Sequence, residues 1–109
     1  MRVYISGAIT YNPNFKQDFD IAQGILEDLG YQVINPAHLC EVMPDAEWFR
    51  YMAVACNLLI HADAICMLPN WKTSKGAGIE FELATEQGLE FIDIMKYLPF
   101  AEEGENDGK

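Results

Sequence analysis

The stretch that decides the fold is Arg2-Val3-Tyr4-Ile5-Ser6-Gly7-Ala8-Ile9-Thr10, followed by Asn12-Pro13 and then by Phe15, Phe19, Ala22, Leu26 and Leu29 at steps of four or three. An apolar run over residues 2–6 that ends at a glycine suits a strand covered on both faces. Asn12 and Pro13 suit a helix N-cap and first helical position, and Gly30 suits a C′ stop. The spacing therefore predicts strand, tight loop and helix within the first thirty residues.

The alternation continues outward from there. Tyr31 to Ile34 reads as a second strand, halted at Asn35-Pro36, where proline removes a ladder donor and turns its predecessor away from helix. Residues 37–44 read as loop. From Asp45 to about Ile60 the pattern is helical but apolar almost all round, with Trp48, Phe49, Tyr51, Met52, Val54 and Leu58 among its members. Such a helix needs two covered faces. One would lie on the sheet and the other against a second subunit, so a homodimer or higher homo-oligomer is expected.

Asp63 to Leu68 reads as a third strand, Ser74 to Gln87 as a helix stopped by Gly88, and Glu90 to Ile94 as a fourth strand. Strands separated by helices imply crossover connections. The expected class is α/β: a doubly wound, flavodoxin-like parallel sheet of four to five strands in a three-layer α/β/α sandwich. Residues 1–100 would form the domain. Residues 101–109, with Glu102, Glu103, Glu105 and Asp107 but no apolar period, would form a mobile acidic tail.

Seventeen acidic residues against seven basic ones give a net charge of −10, a field that repels phosphate polymers, so a nucleic-acid partner is not expected. A small anion remains compatible, because helix-end amides can hold one or two phosphates without a basic patch. Cys40, Cys56 and Cys66 are odd in number and show no C-x-x-C spacing, which suits reduced thiols better than a disulfide framework or a zinc site. The chain opens directly on a strand and has no apolar run near 18 residues, so a cytoplasmic location without a membrane partner is expected.

In an open parallel sheet, ligands gather at the carboxyl ends of the strands. Two loops fall there. Ser6 to Thr10 brings Gly7, Ala8, Ile9 and Thr10, and Gly7 would let a ligand approach the backbone; an ordinary βα turn has the same spacing. Trp71 to Glu80 is richer. Ser74, Gly76 and Gly78 offer a hydroxyl and open amides at a helix start, beside Lys72 and Lys75, as a phosphate cradle requires. The order fits neither a Walker A loop nor a dinucleotide fingerprint. Glu80 sits about one turn into the helix, where the macrodipole favours an ionised carboxylate suited to a nucleophile; the dipole alone also favours a glutamate there. Glu82 points about 200° away on an ideal helix, so it should not share the pocket. Trp71 suits either stacking on a nucleobase or covering the core. His38 and His61 lack ligand spacing, and neither a metal nor an organic cofactor is expected.

Val3 to Thr10, Asn35-Pro36, Trp48 with Tyr51-Met52, Ala62-Asp63-Ala64, and Trp71 through Glu80 with Ala84 together resemble the nucleoside 2-deoxyribosyltransferase-like superfamily. Within it they resemble the small DUF4406 group, often found in phages and prophages, with its SGPIT opening and W-x-x-SKGA-x-x-E signature. The resemblance covers roughly residues 2–94. It implies binding of a nucleoside or nucleoside 5′-monophosphate and chemistry at the N-glycosidic bond. Glu80 would attack the anomeric carbon, Tyr4 would assist it, Gly7 to Thr10 would line sugar and base, and Ser74 would contact phosphate. Three departures from the pattern stand out: Ala55 where relatives carry an aspartate, Ala8 for proline and Tyr11 for glycine.

Overall fold

Four parallel strands form the middle layer of the computed structural model, which describes residues 1–98. They are β1 (Arg2–Ser6), β2 (Gln32–Ile34), β3 (Ala64–Met67) and β4 (Glu90–Phe91), in the order β2-β1-β3-β4. The helices are α1 (Phe15–Asp28), α2 (Leu39–Val42), α3 (Trp48–Leu59) and α4 (Lys75–Gln87). The expected doubly wound α/β architecture is present, with a sheet of four strands among the described residues. The acidic tail expected over 101–109 lies outside them.

Side-chain alternation along β1 assigns the two outer layers. Val3 and Ile5 face one way, into a core with Phe19, Ala22 and Leu26 of α1. Tyr4 faces the other way, into a second core with Ala55 and Leu59 of α3 and Ala84 of α4. The register repeats this on β3, where Cys66 lies beside Ile5 and Ile65 beside Tyr4. From β1 the chain passes outward to β2 and then returns across to β3, so the direction of winding reverses between β1 and β3. That reversal opens a crevice at the carboxyl ends of these strands.

Element ends follow local chemistry. Gly30 adopts φ 95°, its N–H donates to the Glu27 carbonyl and the Tyr31 N–H to that of Leu26, which satisfies two free carbonyls of α1. Helix α1 starts two residues later than Asn12-Pro13 leads one to expect, at Phe15 with Asn14 as N-cap. Asn12 instead ties the preceding loop together, with Nδ2 donating to the Ala8 carbonyl and to Asp18, and Oδ1 accepting from the Asn14 N–H. Between Thr10 and Asn12, Tyr11 takes φ 62° with its side chain fully exposed. Residues 37–44 are not all loop: a 3-10 turn over Pro36–His38 leads into α2, a single turn too short to leave a periodic signal. The fourth strand is also shorter than Glu90 to Ile94, and Ile94 enters the α1-side core.

On α3, Met52, Ala55 and Leu59 are buried, whereas Phe49 is 60% exposed and Val54 and Ile60 are also open. Among the described residues, therefore, only one face of this apolar helix is covered. No helix among the described residues is long and apolar enough to cross a membrane.

Candidate functional site

The site is built from β1 and α4. Tyr4 and Ser6 are two residues apart on β1, so both project onto the face that α4 covers. Helix α4 begins at Ser74, whose Oγ accepts from the Ala77 N–H at 3.1 Å as an N-cap. One and a half turns on, Glu80 is 5% exposed and meets both β1 hydroxyls. Tyr4 Oη donates to Glu80 Oε2, and Ser6 Oγ donates to Oε1 at 2.7 Å.

Close approach of the two elements depends on small residues. A Cβ at Gly7 would stand 2.9 Å from both Cβ and Cδ1 of Leu68, and one at Gly76 would stand 3.0 Å from Sδ of Met52. Gly7 thus lets the β1 loop lie against the end of β3, and Gly76 lets α4 lie against α3. Gly78 has nothing within 4 Å of a Cβ and is set by neither constraint.

The electrostatics of the carboxyl follow from burial. Desolvation pushes the Glu80 carboxyl above its ordinary value, and the hydrogen bonds from Tyr4 and Ser6 pull it back. Burial, and then the negative charge of Glu80 alongside, hold the Tyr4 phenol well above its ordinary value. Tyr4 therefore keeps its proton and serves as a donor. Tyr51 and Cys56 are pushed up by the same two causes, burial first and Glu80 second.

Glu80 forms part of the wall of a cavity of about 240 Å³ at the carboxyl ends of the strands. The β1 loop contributes Gly7, Ile9 and Thr10, and the segment after β2 contributes Pro36, Cys40 and Met43. Helix α3 supplies Trp48, Tyr51 and Met52, and the start of α4 supplies Ser74, Gly76, Ala77 and Glu80. Five of the expected substrate-binding residues, Gly7, Ile9, Thr10, Ser74 and Gly76, thus converge on Glu80. Tyr4 is fully buried behind it and reaches the cavity through the carboxyl.

Ala8, Trp71 and Gly78 stand outside the lining. The Ala8 N–H donates to Asn70 Oδ1 at 3.2 Å, which joins the two loops across the β1–β3 boundary. Trp71 stacks on Phe81 with ring centroids 4.7 Å apart. Glu82 is exposed, so only one carboxylate of α4 belongs to the site. Ser6 and Tyr51 also belong to the site, beyond the residues expected from the sequence. The signal for Ser6 was present in the two-residue step from Tyr4; Tyr51, whose hydroxyl donates to the Pro36 carbonyl, is placed by tertiary packing alone. Among the described residues no cluster of three side chains suits a metal ion.

An open α/β sheet with a buried, doubly hydrogen-bonded carboxyl at its switch point defines the structural class. Within it the chain belongs to the family described as Domain of unknown function (DUF4406), whose model matches residues 1–93. A 49-residue stretch is similar to the sugar fermentation stimulation protein homolog of Sulfolobus acidocaldarius at 39% identity. That match takes in 44% of this chain and 22% of the relative, so it spans less than a quarter of the relative's length. No solved structure matches the chain.

Proposed function

We propose that the cavity binds a (deoxy)nucleoside or nucleoside 5′-monophosphate and that Glu80 acts as nucleophile at the anomeric carbon, as in nucleoside 2-deoxyribosyltransferase-like proteins. The observation that carries this reading is the placement of Glu80: nearly buried, on the cavity wall, with a hydroxyl on each oxygen. Departure of a base leaves an oxocarbenium-like sugar, which an adjacent carboxylate stabilises or traps. Tyr4 and Ser6 fix the orientation of the carboxylate, so it does not reorganise as charge develops. The Ser74 hydroxyl has its oxygen engaged by the Ala77 N–H, which leaves its proton for a phosphate oxygen. The cavity is at the small end of ligand pockets, in keeping with a mononucleotide rather than a polymer.

Mass-spectrometric detection of free base released from deoxynucleosides and their monophosphates tests the reading. Wild-type protein releases base and Glu80→Ala does not; release unaffected by that substitution would exclude Glu80 as nucleophile. A second reading, a nucleotide-binding module without turnover, is favoured by Ala55, fully buried in the α3–α4 core where relatives are expected to carry an aspartate. Ligand binding without base release would select it. The proposed assembly is a homodimer or larger, formed through the open side of α3. There Phe49, Ala53, Cys56 and Ile60 recur at steps of four, three and four, the seam of a helix-on-helix contact. Light scattering at micromolar concentration should give at least twice the monomer mass.

A further inference from the structure

We propose that the substrates cleaved here are nucleosides or nucleotides whose base is attached through a positively charged ring nitrogen, the class of pyridinium ribosides and N7-alkylated purine nucleosides. The inference rests on Glu80 acting as nucleophile and deepens that reading. A neutral base must be protonated as it departs, which requires a general acid within reach. Among the described residues lining the cavity, the ionisable side chains are Glu80, Cys40 and Tyr51. Glu80 cannot attack carbon as a carboxylate and deliver a proton in the same step. The Tyr51 hydroxyl is committed to the Pro36 carbonyl at 3.2 Å, and burial pushes both its phenol and the Cys40 thiol up, away from proton release. The buried face of α3 is Met52, Ala55 and Leu59 and holds no acid.

A quaternised base needs no such proton. Glu80 forms a bond to the anomeric carbon while the C–N bond breaks, and the electron pair of that bond returns to the ring nitrogen, so the base leaves neutral. Water then attacks the same carbon, the glycosyl ester breaks, the carboxylate is regenerated and one proton passes to solvent. The sum is cationic nucleoside and water giving free sugar, neutral base and a proton.

The walls suit a cationic ring. Trp48 and Tyr51 present aromatic surface to the cavity, and among its described lining residues the carboxylate of Glu80 is the one charge. Lys75 is not among the lining residues, and its Nζ lies 5.0 Å over the ring of Trp48, which is. A net charge of −10 draws cations toward the whole molecule.

A matched pair tests this directly: N7-methyl-2′-deoxyguanosine against 2′-deoxyguanosine, with nicotinamide riboside as a second cation, base release being followed by liquid chromatography and corrected for spontaneous hydrolysis. The methylated and pyridinium substrates should be cleaved at least ~100-fold faster than 2′-deoxyguanosine, the contribution a missing general acid would make. Glu80→Gln, checked for fold by circular dichroism, should release no base. Equal rates for the matched pair would overturn the cationic preference and leave glycosidic cleavage standing. No release from any substrate, or release that survives Glu80→Gln, would overturn both.

Discussion

Ser6 and Glu80, 74 positions apart in the chain, are joined by a 2.7 Å hydrogen bond in which the serine hydroxyl donates to Oε1. Both side chains are buried, so loss of either partner leaves a polar group without water to replace it. Ser6→Ala should therefore cost about 1–3 kcal/mol of folding stability at neutral pH, measured by urea unfolding. A cost near zero would mean that Oε1 finds another donor.

Glu80 also sets a pH dependence. Its native value is raised, so between the ordinary carboxyl range and that raised value the folded chain holds the proton more tightly than the unfolded chain. Its contribution to stability is present at low pH and is lost as pH rises through the native value. The unfolding free energy of wild type minus that of Glu80→Gln should fall as pH is raised from about 4.5, the other carboxyls cancelling in the difference. In Ser6→Ala the decline should extend to higher pH, because one of the two bonds that lower the carboxyl is gone. A difference that rises with pH would contradict the assignment.

Tyr11 occupies the left-handed region at φ 62° with a fully exposed ring, so its backbone strain is offset by no packing of its own side chain. Tyr11→Gly should stabilise the fold by about 0.5–1 kcal/mol, the relieved strain less the added freedom of glycine in the unfolded chain. A rise of a few degrees in Tm would register it.

Two glycines should respond in opposite directions. Gly7→Ala drives a methyl into Leu68 at 2.9 Å and should destabilise by about 1–3 kcal/mol. Gly78→Ala, inside α4 with open space around it, should stabilise by about 0.5–1 kcal/mol. Thermal unfolding of the two variants separates a packing glycine from one that serves neither packing nor backbone conformation.

Ser74→Ala removes the N-cap bond to Ala77 and should cost about 1 kcal/mol of stability. If the hydroxyl also meets phosphate, as proposed, titration calorimetry should show monophosphate affinity falling further than nucleoside affinity. Equal losses would confine Ser74 to capping.

The strand–helix alternation, the stops at Gly30 and Gly88 and the convergence of the β1 and α4 loops were legible because each rests on local periodicity or backbone preference. The role of Ser6 was less so: a serine before a glycine reads as the start of a loop until the two-residue step from Tyr4 is followed along β1. Helix α1 begins later than Asn12-Pro13 suggests because Asn12 spends its side chain on Ala8, Asp18 and Asn14, next to a left-handed residue that a tyrosine does not advertise. Asn70 and Tyr51 were out of reach for another reason. Their partners, the Ala8 amide and the Pro36 carbonyl, are brought close only by tertiary packing, which single-sequence spacing does not encode.

The lengths of the outer strands carry a consequence for life at high concentration. β2 pairs over three residues and β4 over two, so among the described residues each rim of the sheet offers little unpaired backbone to a neighbouring molecule. A chain half of whose residues are hydrophobic is thereby protected from growing into fibrils edge to edge, and any self-association is steered away from its strands and toward side chains.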